Sequence, residues 1–155
     1  LLSAKINQEN QMKKLILIAS LFICTNVWSD AEEPFVVEYY YKAKWGFFEE
    51  FYDLYRKNHY PILKRLQDLG RISEMNAVFP VNHAGEVDRW DMRFTIVYPN
   101  VTIAHDFDFD TSDIVEELYP DQELFKKEEQ RRFELLLEHK DVPVMFYDLS
   151  EWNVE

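Results

Sequence analysis

Between residues 35 and 149 the apolar residues switch from the two-residue repeat of a strand to the three-and-four repeat of a helix and back. This alternation limits the folds open to the chain. Phe35 to Lys44 is rich in Val and Tyr, with Val37, Tyr39, Tyr41 and Ala43 on one side and Val36, Glu38, Tyr40 and Lys42 on the other, which predicts a strand. After Gly46, Phe48, Phe51, Tyr55, His59, Ile62, Leu66 and Leu69 form an apolar stripe at helical spacing. Pro61 lies inside that run and predicts a kink near His59, and Gly70 supplies a stop. Ile72–Val81 and Arg89–Tyr98 predict a hairpin. In its second strand Trp90, Met92, Phe94, Ile96 and Tyr98 face one way, and Asp91, Arg93, Thr95 and Val97 the other. Asn100 is placed to cap a short helical turn through His105. Asp121–His139 is expected as a helix with Leu124, Phe125, Phe133, Leu136 and Leu137 inward, and Val142–Leu149 as a last strand.

The resulting order, β-α-β-β-α-β, is the split-βαβ pattern, so the expected class is α+β: a ferredoxin-like sandwich spanning residues 30–155 as a single domain. Two helices cover one face of such a sheet and leave the other bare. Several strands are apolar on both sides, so the bare face is expected to pair with a second copy, as in a dimeric α/β barrel.

Residues 12–29 read differently. Met12-Lys13-Lys14 is followed by an apolar run from Leu15 to Cys24 and a polar end at Thr25–Ser29, the layout of a signal peptide. The run is well short of the ~20 residues that span a bilayer. Leu21-Phe22-Ile23 before Cys24 does not suit a lipid-anchor site. Cleavage is expected before Asp30 or Glu32, giving a periplasmic or secreted protein with no membrane contact after cleavage. Polar residues 1–11 resemble no part of a signal and are read as an upstream extension. Cys24, the one cysteine, would leave with the signal, so the mature chain would have neither disulfide nor thiolate ligand. Removing residues 1–29 leaves 14 basic against 28 acidic side chains, a charge that opposes nucleic-acid binding.

The segment Phe47-Phe48-Glu49-Glu50-Phe51-Tyr52-Asp53-Leu54-Tyr55-Arg56-Lys57-Asn58-His59-Tyr60-Pro61-Ile62-Leu63 resembles the first helix of EthD-like proteins. These belong to the dimeric α/β-barrel superfamily, which includes antibiotic-biosynthesis-monooxygenase-like proteins. Their aromatic run ends in His-x-Pro-Leu, and His59-Tyr60-Pro61-Ile62 matches with Ile for Leu. The resemblance implies a homodimer with a pocket for a small apolar or aromatic ligand. It also admits cofactor-independent acid–base or oxygenase-like chemistry. The superfamily includes haem-binding members as well, and that reading requires an axial ligand on the pocket wall. A fold shared by so many chemistries names none of them.

His59 is the candidate catalytic residue, because a neutral imidazole can move a proton near physiological pH. The competing reading is a buried histidine serving the carbonyl freed by Pro61. Tyr39, Tyr41, Trp90 and Arg93 are candidate ligand-binding residues, against ordinary packing for the aromatics. A half-buried Arg93 needs an anion, supplied either by Glu38 or Asp91 or by a substrate carboxylate. Asp106, Asp108, Asp110, Ser112, Ile114 and Glu117 fall on the spacing of a calcium loop. Thr111, however, stands where its turn needs Gly, so a solvated acidic loop is the better account. No metal site and no cofactor is expected. The histidines are too far apart in sequence for a local zinc motif, and with three glycines there is no phosphate-cradling loop. Whether the protein turns over a substrate or is a non-catalytic homodimeric interaction module is left open by these residues. N-terminal sequencing of the exported protein is expected to begin at Asp30 or Glu32; a mature chain beginning at residue 1 would overturn the export reading.

Overall fold

The computed structural model describes residues 33–82, 84–147 and 149–152, so the signal-like segment lies outside the described residues. Strand β1 (Phe35–Ala43) leads into helix α1 (Phe48–Leu54), a π-helical turn (Tyr55–His59) and helix α2 (Tyr60–Asp68). Strands β2 (Glu74–Val78) and β3 (Met92–Tyr98) follow, then helices α3 (Val101–Ala104), α4 (Ser112–Leu118) and α5 (Gln122–Glu134). Strand β4 (Leu136–Val144) and a 3-10 turn (Leu149–Glu151) complete the order. The four strands form one sheet, β2-β3-β1-β4, antiparallel throughout. With β3 between β1 and β2, and β1 between β3 and β4, this is the expected ferredoxin-like α+β fold.

The core lies between the sheet and the helices. Tyr41, Ala43, Met92, Phe94 and Ile96 from the central strands meet Phe51, Tyr55, Leu63 and Leu135, all buried. Each large side chain removed from water there contributes about 1.5–3 kcal/mol before the cost of ordering it. The long connection from β2 to β3 is held by the buried Arg89. Its guanidinium donates to the Ala43 carbonyl at 2.9 Å, ion-pairs with Asp91 and Glu86, and lies over the Trp45 ring. Asn100 caps α3 as expected, its side chain accepting from the Ile103 amide at 2.7 Å.

The structure corrects three expectations. The last helix ends at Glu134 and the strand begins at Leu136, not Val142, so Leu136, Leu137 and His139 are strand residues. Leu124 and Phe133, read as inward, are exposed, and the buried positions there are Arg132 and Leu135. The physical reason is that β4 is an edge strand, where charges such as Glu138, Lys140 and Asp141 are favoured because they discourage further pairing. Strand β3 begins at Met92, three residues later than read, so Trp90 precedes the alternating run. Its ring lies with Tyr40 and Arg93 rather than with Met92 and Phe94.

The kink at Pro61 takes a specific form. Pro61 has no amide hydrogen for the Lys57 carbonyl four residues back. The chain inserts a π turn in which the Tyr60 amide donates to the Tyr55 carbonyl. The Tyr119 hydroxyl then donates to the carbonyls of Lys57 at 3.1 Å and Asn58 at 2.9 Å, so the freed acceptors are satisfied from α4's end. Glu128 on α5 clamps the same turn through Lys57 and Asn58. The extra residue shifts the helical phase, which is why Leu63, not Ile62, is buried beyond it. Tyr119→Phe is expected to lower stability by about 1–2 kcal/mol in urea unfolding. In a Pro61→Ala background, where residue 61 regains a donor for Lys57, the same change is expected to cost measurably less.

Candidate functional site

Strand β1 sends alternate side chains to opposite faces of the sheet, and this divides the residues nominated from sequence. Tyr39 and Tyr41 point to the helices, where Tyr41 packs on Phe51 and Tyr55 at 5.6 and 5.4 Å between ring centres. Trp90 and Arg93 belong to the bare face, beside Tyr40 and Glu38. Arg93 pairs with Glu38 at 3.4 Å, and the Tyr40 hydroxyl donates to the same carboxylate. Asp91, the other partner considered for Arg93, instead accepts from the Ala43 amide at 2.8 Å and pairs with Arg89. The five nominated residues therefore do not converge on one site.

On the helix side, His59 stands against the Tyr55 ring at 4.9 Å. Burial, with Arg132 and His139 nearby, pushes its pKa down to about 3, so the imidazole is neutral at any physiological pH. A group so desolvated is poorly suited to exchange protons near pH 7 and well suited to packing. The sequence reading missed the polar cluster beside it. His139 on β4 stacks on Tyr41 at 4.4 Å and its Nε2 lies 3.1 Å from Asp141. Tyr39 and Tyr98 share a hydrogen bond of 2.8 Å between their hydroxyls. Burial raises both phenols above the ordinary range, so they act as neutral hydrogen-bonding groups. Arg132, almost wholly buried, is held by Glu129 through two bonds of 2.9 and 2.7 Å. Reading residues 136–139 as helix concealed this cluster; the signal for strand was Pro143, which an edge strand tolerates.

Two recesses open on the two sides of the sheet. One of about 350 Å³ lies on the bare face, with Tyr40, Trp90, Lys42 and Lys140 in its wall. The other, about 300 Å³, opens between the π-turned helix and the β2 edge. Tyr52, Tyr55 and Tyr60 line it from the helix, Met75 and Phe94 from the sheet. His59 is not part of this wall: the π turn presents Tyr55, Arg56 and Tyr60 to the recess and directs His59 toward Arg132 and His139.

The acidic stretch shows no calcium-loop geometry. Asp106 pairs with Arg71 at 2.6 Å, and Glu117 lies on α4 and pairs with Arg65 at 3.2 Å. Among the described residues no group of three or more His, Cys, Asp or Glu is placed to hold a metal ion, and no helix is long and apolar enough to cross a membrane.

No protein-family model and no curated protein matches the chain. The solved structures similar to it include the following two. One is a dimeric protein of unknown function with a ferredoxin-like fold from Bacteroides fragilis, 10% identical with a TM-score of 0.44, covering 73% of this chain and 96% of its own. The other is a NIPSNAP family protein from Agrobacterium tumefaciens, 15% identical with a TM-score of 0.43, covering 76% of this chain and 89% of its own. Neither bears on function at that distance.

A histidine held neutral by burial contributes stability above the unfolded value near 6.5, and that contribution is lost as pH falls toward 3, because the unfolded chain binds the proton first. Relative to His59→Gln, the wild-type protein is expected to lose stability between pH 6.5 and 4, by at most about 1.4 kcal/mol per pH unit. Parallel denaturation curves across that window would contradict the enclosure of His59.

Proposed function

We propose that the protein is an exported, homodimeric small-molecule-binding protein, with its ligand in the recess between the π-turned helix and strands β2 and β3. The observation that carries the reading is the wall of that recess. Three tyrosines, a phenylalanine and a methionine surround about 300 Å³ of space next to backbone that departs from the α-helix. Ligand sites are concave, mostly apolar and close to this size at their lower limit of about 300 Å³, and π turns recur at functional sites. The burial of His59 favours binding over proton transfer. His59-Tyr60-Pro61-Ile62 supports an EthD-like relationship, with the proline setting the turn and the histidine packing on Tyr55. The signal-like residues 12–29 support export.

The bare face supports self-association. It is less apolar than expected: Glu74, Glu38, Arg93, Lys42, Glu138 and Lys140 interrupt it. Val36, Val78, Val97, Val142, Val144 and Tyr40 nevertheless share it, and the Arg93 Nε is buried there with no partner among the described residues. A second copy of the same mixed face would cover the valines and offer each Arg93 a further acceptor.

Sedimentation velocity is expected to find a dimer at micromolar concentration, and Val142→Glu to give a monomer with unchanged circular dichroism. A wild-type monomer would contradict the dimer, and a dimeric variant would contradict its placement on this face. For the recess, Ala77→Trp adds a ring to its exposed sheet-side wall. Saturation-transfer signals from small aromatic probes are expected with the wild-type protein and not with this variant. Equal signals from both would contradict the location.

A further inference from the structure

Resting on that reading of the recess, we propose that its ligand is a small aromatic monocarboxylate whose anionic end is held by Arg56. Each of the chain's other six arginines lies within 4 Å of a carboxylate: Arg65 with Glu117, Arg71 with Asp106, Arg89 with Glu86 and Asp91, Arg93 with Glu38, Arg131 with Glu50, and Arg132 with Glu129. Arg56 has no such partner among the described residues, although the chain has 29 acidic side chains against 17 basic. Its guanidinium is held over the Tyr52 ring, 5.5 Å from the centre, at the recess wall. That stacking orients a planar fork of donors, which matches a carboxylate.

The wall adds a second, independent constraint. No Asp or Glu lines this recess, and its other polar members, Gln67 and Asn76, are neutral amides. In so acidic a chain this is one place where an anion meets a cation without a competing carboxylate in the wall. The aromatic and methionine side chains select a flat apolar body. A single cation within a chain of formal charge −12 favours one negative charge over several, so polyphosphates are disfavoured. The small volume excludes long chains.

Titration calorimetry on the full protein with 2-naphthoate and its neutral counterpart 2-naphthalenemethanol tests this. The wild-type protein is expected to bind the acid at least tenfold more tightly than the alcohol. Arg56→Gln is expected to weaken the acid by about 10- to 100-fold and change the alcohol less than threefold, and Arg56→Lys to recover part of the loss. Equal affinity for both probes, or an Arg56→Gln variant that binds the acid unchanged, overturns the carboxylate assignment while leaving the recess reading in place. Binding of neither probe overturns both.

Discussion

Pro61 has no amide hydrogen to give the turn before it, and the arrangement of the helix-side layer follows from how that loss is absorbed. A kinked α-helix would leave the Lys57 carbonyl without its helical donor. Instead the chain inserts a residue, closes Tyr60 onto Tyr55, and turns the spare carbonyls toward the Tyr119 hydroxyl. The insertion rotates everything on the helix relative to the sheet. His59 moves to the Arg132 side and packs on Tyr55, whereas Tyr55, Arg56 and Tyr60 frame an opening beside β2.

Charge pairing organises the remainder of the molecule. Acidic side chains far outnumber basic ones, so a cation has many carboxylates within reach, and most arginines are neutralised, some deep in the structure. Buried pairs of this kind contribute little net stability against apolar alternatives but fix geometry, because separating them leaves an unpaired charge. Arg89 anchors the β2–β3 connection in this way, and Arg132 is held by Glu129 one turn back on α5. An arginine left without a carboxylate is the exception in such a surface, and its position beside an aromatic wall gives that exception a chemical meaning.

The fold was readable where hydrophobic period and burial coincide. β1, the first helix and most of β3 alternate or repeat cleanly because each has one face in the core, and with the last helix and strand they gave the split-βαβ order. β4 was misplaced because an edge strand does not need to look apolar: Glu138-His139-Lys140-Asp141 resembles a helix surface, while Met145, Phe146 and Tyr147, which look like a strand, are exposed. Pro61 announced a break at the right place, but not the one-residue change of phase, which depends on Tyr119 and Glu128 arriving from distant parts of the chain. Of the nominated residues, Tyr39, Tyr41 and His59 lie on the helix side of the sheet. Their division between two faces with Trp90 and Arg93, and the isolation of Arg56, are properties of tertiary pairing that no local pattern records.

The hydrogen bond that closes the π turn can be observed directly. Scalar couplings across backbone hydrogen bonds, measured by NMR on the isotopically labelled protein, are expected to connect the Tyr60 amide nitrogen to the carbonyl carbon of Tyr55. A coupling from Tyr60 to the Arg56 carbonyl carbon would mean an ordinary α-helical turn. His59, Arg56 and Tyr60 would then face other directions, and the account of the recess would fail with it.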